Sequence, residues 1–308
     1  MKFITDDAPS EAIPALAQGS VVVAGVLDGC HLGHQSLINA AKQLGRESGL
    51  PVVALTFDPH PSVVLANRDV PLLTTLPERE RLLRALGVDE VVVLRFTTAR
   101  ASQDPSDFVQ DVLIDRLNTK HLVVGENFTY GFKAKGNVSA LMQTPEFRTH
   151  GSELISDEKG IITSTRVREA LAQGDLTGVS RMLGRDFRVC GAVVHGEHRG
   201  RELGYPTANV SVAPNAALPA DGVYAGWLIS DTSYPAAVSL GANSTFGETS
   251  RTLEAHLIDV SGVDLYGKEV CVEFVSRLRA MVKFDSIDEL VEQMGQDVEK
   301  AKALLGSA

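Results

Sequence analysis

Apolar residues follow two different rhythms along this chain, and the change of rhythm divides it. In the first part they come in nearly unbroken runs, so residues 21–27, 52–57, 90–96 and 121–124 read as strands rich in valine and leucine. Between them, residues 34–47, 77–86 and 105–117 carry their apolar positions at helical intervals, the last two opened by Pro77 and Pro105. Strands without polar alternation are buried on both faces. Interleaved with helices, they predict an α/β domain built on a doubly wound parallel sheet, with ligands beyond the carboxyl ends of its strands.

Near Arg185 the period becomes two. Residues 188–195, 223–229, 236–240, 252–259 and 269–275 alternate apolar and polar positions and are separated by turns rich in Gly, Pro, Asn and Asp. That predicts an antiparallel β-barrel or sandwich of about 100 residues. Residues 286–305 then place Leu290, Met294, Val298, Ala301 and Leu305 at helical spacing, behind a Ser286 cap with Glu289 three positions on. This is a closing helix. The expected domains are residues 1–185 and 186–308, joined by a short charged stretch at 175–186.

Composition limits the partners. A chain of 308 residues with 44% hydrophobic content has material for two cores. It contains no run of about eighteen apolar residues, and its N-terminus carries acidic residues and proline where a leader needs a basic then apolar stretch. The expectation is a soluble cytoplasmic protein with no membrane partner. Three cysteines, Cys30, Cys190 and Cys271, are too few and too scattered for a disulfide framework, and the last two read as core residues. A formal charge of −10 argues against a nucleic-acid partner, so anionic ligands need local features.

The strongest such feature is GVLDGCHLGH at residues 25–34, where a strand turns into a helix. Gly25, Gly29 and Gly33 are expected to take backbone conformations closed to other residues and to let an anion approach the main chain, while the first amides of the helix supply donors. His31 and His34, three apart, share one side of the first turn. No Gly-Lys-Ser/Thr follows, so this is no Walker loop, and glycines four apart fit the dinucleotide fingerprint badly. Cys30 beside two histidines cannot wrap one zinc ion at this spacing. A second phosphate candidate is Ser164-Thr165-Arg166-Val167-Arg168, with hydroxyls, amides and a guanidinium at a helix start. Alone, that is an ordinary cap.

Together, G-x-H-x-G-H and Ser-Thr-x-x-Arg resemble the nucleotidyltransferase superfamily. TFDPHP (56–61) and VVGENFTYG (123–131) narrow the likeness to the adenylyltransferase domain of the prokaryotic bifunctional riboflavin kinase/FAD synthetases. The second half is similar to their riboflavin kinase module through GAVVHGEHRGRELGYPTANV (191–210), DGVYAG (221–226), LEAHLID (253–259), DLYG (264–267) and RLRAMVKFDSIDEL (277–290). The resemblance spans nearly the whole chain. Two departures stand out: Leu27 and Ser244 occupy positions where the family usually has Phe and Pro.

What the resemblance implies is phosphorylation of riboflavin to FMN by ATP in the barrel, then transfer of AMP from a second ATP to FMN in the first domain, giving FAD and pyrophosphate. It assigns His31, His34 and Arg166 to charge stabilisation in the second step, with Gly25, Gly29, Gly33, Asp58, Asn127, Phe128, Ser164 and Thr165 binding nucleotide or flavin. Asp28 orients the loop or assists a metal, a turn-forming aspartate being the alternative. In the barrel it assigns Thr207 and Asn209 to Mg²⁺, Glu254 to the base, and Gly196 and Arg279 to substrate binding. Spacing alone leaves Glu254 a solvated glutamate and Arg279 a surface charge. A single-activity adenylyltransferase and a non-catalytic flavin carrier are the other classes considered, and oligomeric state stays open.

Overall fold

The computed structural model describes residues 1–5, 13–66, 68–196, 203–242 and 251–306. They divide into two compact units, Met1–Val70 with Leu76–Ser164, and Pro71–Thr75 with Thr165–Ala308.

In the first unit, β1 (Lys2–Ile4), β2 (Ser20–Ala24), β3 (Val52–Asp58), β4 (Glu90–Arg95), β5 (Thr119–Gly125) and β6 (Arg148–Ser152) form one sheet. Their spatial order is β1-β4-β3-β2-β5-β6, and every pairing is parallel. The valine runs are explained by two cores, because successive residues of one strand feed opposite faces. Val22, Val53 and Val92 pack with Phe108, Val112 and Leu113 on one side. Val21, Val23 and Ala54 pack with Leu37, Ile38 and Leu83 on the other. The covering helices are α1 (Leu32–Ser48) and, after the short unburied α2 (Pro61–Ala66), α3 (Leu76–Ala85) and α4 (Phe108–Arg116), the last with π-type hydrogen bonding. The chain leaves β2 for β3 on one side and later places β5 on the other. The crevice at a strand-order reversal therefore opens beyond the carboxyl ends of β2 and β5.

The second unit begins with α5 (Ser164–Gln173), whose first residue closes the first unit, and α6 (Leu176–Leu183). Then β7 (Phe187–Val194), β8 (Thr207–Val212), β9 (Gly222–Ile229), β10 (Ser233–Ala242), β11 (Arg251–Leu257) and β12 (Glu269–Arg279) close a barrel in the order β7-β8-β11-β10-β9-β12. All its pairings are antiparallel. The closing helix α7 (Ile287–Leu305) is capped as expected, with the Ser286 hydroxyl accepting from the Glu289 amide. Its Ala301 and Leu305 pack with Ala225 and Ile258.

Two expectations are corrected. The stretch at 175–186 is no plain linker: Asp175 caps α6, Gly184 ends it at φ 68°, and Val179, Met182 and Leu183 are buried. Cys190 and Cys271 face each other across β7 and β12 with Cα atoms 4.0 Å apart and form a disulfide on half-buried positions. Antiparallel register brings together what sequence separation scatters. Strands β1 and β6 carry no apolar run or clean alternation, and the pattern did not predict them; β8, TANVSV, alternates at period two and was read only as a motif. Ser244 lies outside the described residues.

Candidate functional site

The loop between β2 and α1 is built on left-handed backbone, but not where the glycine pattern puts it. Gly29 takes φ 80°, yet the other positive values fall on Leu27 at 55° and Cys30 at 44°, both fully buried. Gly25 and Gly33 keep ordinary backbone. Gly33 is needed for space instead, since a Cβ there would lie 3.0 Å from His31 Cε1. Non-glycine residues hold such conformations only when their surroundings enforce them.

The enforcement comes from a residue absent from the sequence reading. Arg79 on α3, only 3% exposed, reaches under the loop and pairs with the fully buried Asp28 at 3.3 Å. It also donates to the Val26 carbonyl at 3.2 Å and to the Thr56 hydroxyl at 3.1 Å. Thr56 in turn donates to Val26 O at 2.6 Å, and the Ser164 hydroxyl to Asp28 O at 2.9 Å. The Asp28 carboxylate and carbonyl thus tie the loop to Arg79 and to Ser164. In the sequence, Arg79 is one of three arginines in a charged helix, and nothing marks it as the buried one.

On this base His31 forms the N-cap position of α1, and His34 stacks against it with ring centroids 3.7 Å apart. Burial, the His31 imidazole and the Arg79 guanidinium hold His34 well below the usual histidine value. It is neutral at pH 7, and its Nδ1 has no hydrogen-bond partner among the described residues. Buried nitrogens of that kind are rare and call for a partner.

The remaining first-unit candidates scatter along the carboxyl edge of the sheet. Asp58, at the end of β3, pairs with Arg95 at 2.6 Å and precedes a cis Pro59. Asn127 is exposed just past β5, while Phe128 packs on the core and stacks with Tyr130. Thr165 and Arg166 lie on the first turn of α5 and belong to the second unit.

In the barrel, Thr207 and Asn209 on β8 stand opposite His256 and Glu254 on β11. The Thr207 hydroxyl donates to Glu254 Oε2 at 3.1 Å and that of Thr252 to Oε1 at 3.4 Å. Glu254 is half-buried among these hydroxyls. A Cβ at Gly196 would fall 2.3 Å from Asn209 Nδ2, so the backbone two residues past β7 meets this cluster at glycine distance. Hydroxyl, amide and carboxylate oxygens gathered in one place are hard donors, the set that suits Mg²⁺ or Ca²⁺ rather than a thiophilic ion. Arg279 is occupied elsewhere: it pairs with the buried Asp297 of α7 at 2.8 Å and lies over Phe284.

A parallel-sheet unit with an anion loop at its switch point, followed by a six-stranded barrel with clustered oxygen donors, defines a two-domain transferase. Residues 13–166 match the FAD synthetase family and residues 183–305 the riboflavin kinase family, families that use ATP and a divalent metal. The chain belongs to the bifunctional riboflavin kinase/FMN adenylyltransferases. It is 34% identical to the protein of that name from Listeria monocytogenes, over 92% of this chain and 91% of the relative, and 34% identical to that of Bacillus subtilis, over 98% and 97%. A solved structure described as a macrolide-efflux protein from Streptococcus pneumoniae is similar over 95% of both chains, at 34% identity and a TM-score of 0.84. No helix among the described residues here is long and apolar enough to cross a membrane.

Proposed function

We propose that the two reactions of the family are carried in this chain by two separate residue sets. The observation that supports this best is the Thr207–Glu254–Asn209 cluster, which the barrel assembles from strands some 45 residues apart, in the family module whose reaction needs a base and a divalent ion. Riboflavin's primary hydroxyl oxygen bonds to the γ-phosphorus of ATP as the bond to the ADP oxygen breaks, and the hydroxyl proton passes to Glu254. Thr207 and Asn209 would hold Mg²⁺, which when bound neutralises phosphate charge. Gly196 lets the backbone after β7 close directly on the Asn209 side chain.

In the first unit, an FMN phosphate oxygen attacks the α-phosphorus of ATP and pyrophosphate leaves. A neutral His34 serves by N–H donation, not by net charge. His31, the amides of Gly29 and Gly33 and Ser164 complete the first unit's phosphate site in this reading, with Gly25, Asp58, Asn127 and Phe128 toward the adenosine and flavin, while Thr165 and Arg166 keep the nucleotide role the family resemblance implies. Arg279 acts on flavin indirectly, by fixing β12 to α7. The acidic balance of −10 supports a small-molecule enzyme without a nucleic-acid partner.

Product analysis tests this. Riboflavin, Mg²⁺ and ATP should give FMN and then FAD. Glu254→Gln should stop the first step by a factor of roughly 10² or more while supplied FMN still becomes FAD, and His31→Ala or His34→Ala should do the reverse. Undiminished turnover in the Gln variant, or full FAD synthesis in the double Ala variant, refutes the corresponding assignment.

A further inference from the structure

His256 stands two residues beyond Glu254 on β11 and opposite Thr207 on β8. Its Nδ1 lies 2.9 Å from the Pro206 carbonyl oxygen. A carbonyl only accepts, so Nδ1 carries the proton and the tautomer is set. Pro206 has no N–H of its own, which leaves its oxygen as the backbone handle just ahead of Thr207. The preceding Tyr205 meets the His256 ring edge-on at 5.3 Å. On its other side, a Cβ at Gly295 of α7 would sit 3.1 Å from the Tyr205 hydroxyl.

We propose that His256 is a positioning residue of the kinase site, holding the segment Tyr205–Pro206 so that Thr207 and Asn209 face Glu254 in metal-binding register. This rests on the barrel reading above. Its consequence is specific: losing the Nδ1–H donor loosens the metal-binding strand without removing a group that touches substrate.

The test uses the full chain and riboflavin phosphorylation against Mg²⁺ concentration at saturating riboflavin and ATP. An asparagine amide reaches the place of Nδ1, whereas a glutamine amide reaches one bond further. H256Q should raise half-saturating Mg²⁺ roughly fivefold, the scale of one hydrogen bond, and leave kcat at saturating Mg²⁺ within about twofold. H256N should restore the wild-type value. FAD formation from supplied FMN should be unchanged in both. Wild-type Mg²⁺ dependence in H256Q, or an H256N as impaired as H256Q, overturns the positioning role. T207V is the separate control, expected to raise the Mg²⁺ requirement further. An unchanged requirement in T207V overturns the metal reading of the barrel itself.

Discussion

Arg79 and Asp28 form an ion pair with side-chain exposures of 3% and 0%, 51 residues apart in sequence, directly beneath the histidine loop. Removing one member of such a pair leaves a buried charge unanswered, which costs about 3–5 kcal/mol. Arg79→Met should therefore lower the unfolding free energy of the first unit by that amount and abolish FAD formation from FMN, because Leu27 and Cys30 lose the support for their left-handed backbone. Riboflavin phosphorylation should persist. A loss under about 1 kcal/mol in urea titration would show that the pair is incidental to the loop.

The pH response of His34 has a definite sign. Its folded value lies below that of an unfolded histidine, about 6.5. Its contribution is thus complete above pH 6.5 and declines as pH falls toward the folded value, since the unfolded chain takes up the proton first. Facing it are the His31 ring and the Arg79 guanidinium, both of which oppose protonation. In His34→Gln the stability of the first unit should fall less between pH 7 and 5.5 than in the wild type. Parallel stability curves for the two proteins would mean that His34 is not held neutral by its surroundings.

How much of this was legible follows from what each feature depends on. The sheet and barrel were readable because burial on one or two faces writes period directly into sequence: Val21, Val22 and Val23 feed both cores, whereas Leu253 and Ala255 alternate with Glu254. His31 and His34 were readable because a helix start needs only local spacing. Arg79 was not, since the helix Leu76–Ala85 carries three arginines and only tertiary packing selects one. The same holds for Cys190 and Cys271, whose pairing is a matter of strand register, and for β6, whose sequence RTHGS lacks any apolar pattern.

Those cysteines give a countable outcome. Protein purified without reductant and unfolded in denaturant should show one reactive thiol, that of Cys30, and three after reduction. The bond closes a separation of 81 residues, for which the chain-entropy account gives about 4.5 kcal/mol of stabilisation. Reductant should lower the barrel's unfolding transition accordingly, and Cys190→Ser should abolish that difference. Three thiols before reduction would return the pair to the dithiol state expected from sequence.

The last prediction concerns where the chain can be cut, set against the boundary expected at 185/186. α6 packs on β7 and β12, and its Val179, Met182 and Leu183 are buried. α5 joins the same unit through Leu171 O, which accepts from the Ala220 amide at 3.0 Å. A fragment beginning at Gly184 lacks those three side chains, each worth about 1.5–3 kcal/mol when buried, and uncovers the strand surface they pack on. That sum rivals the whole stability of a small domain. A fragment beginning at Thr165 keeps them, together with Thr207, Asn209, Glu254 and α7. It should fold, phosphorylate riboflavin and make no FAD, while the Gly184 fragment should melt well below it or fail to fold. Equal melting temperatures for the two would show that α6 contributes nothing to the barrel and restore the boundary at residue 185.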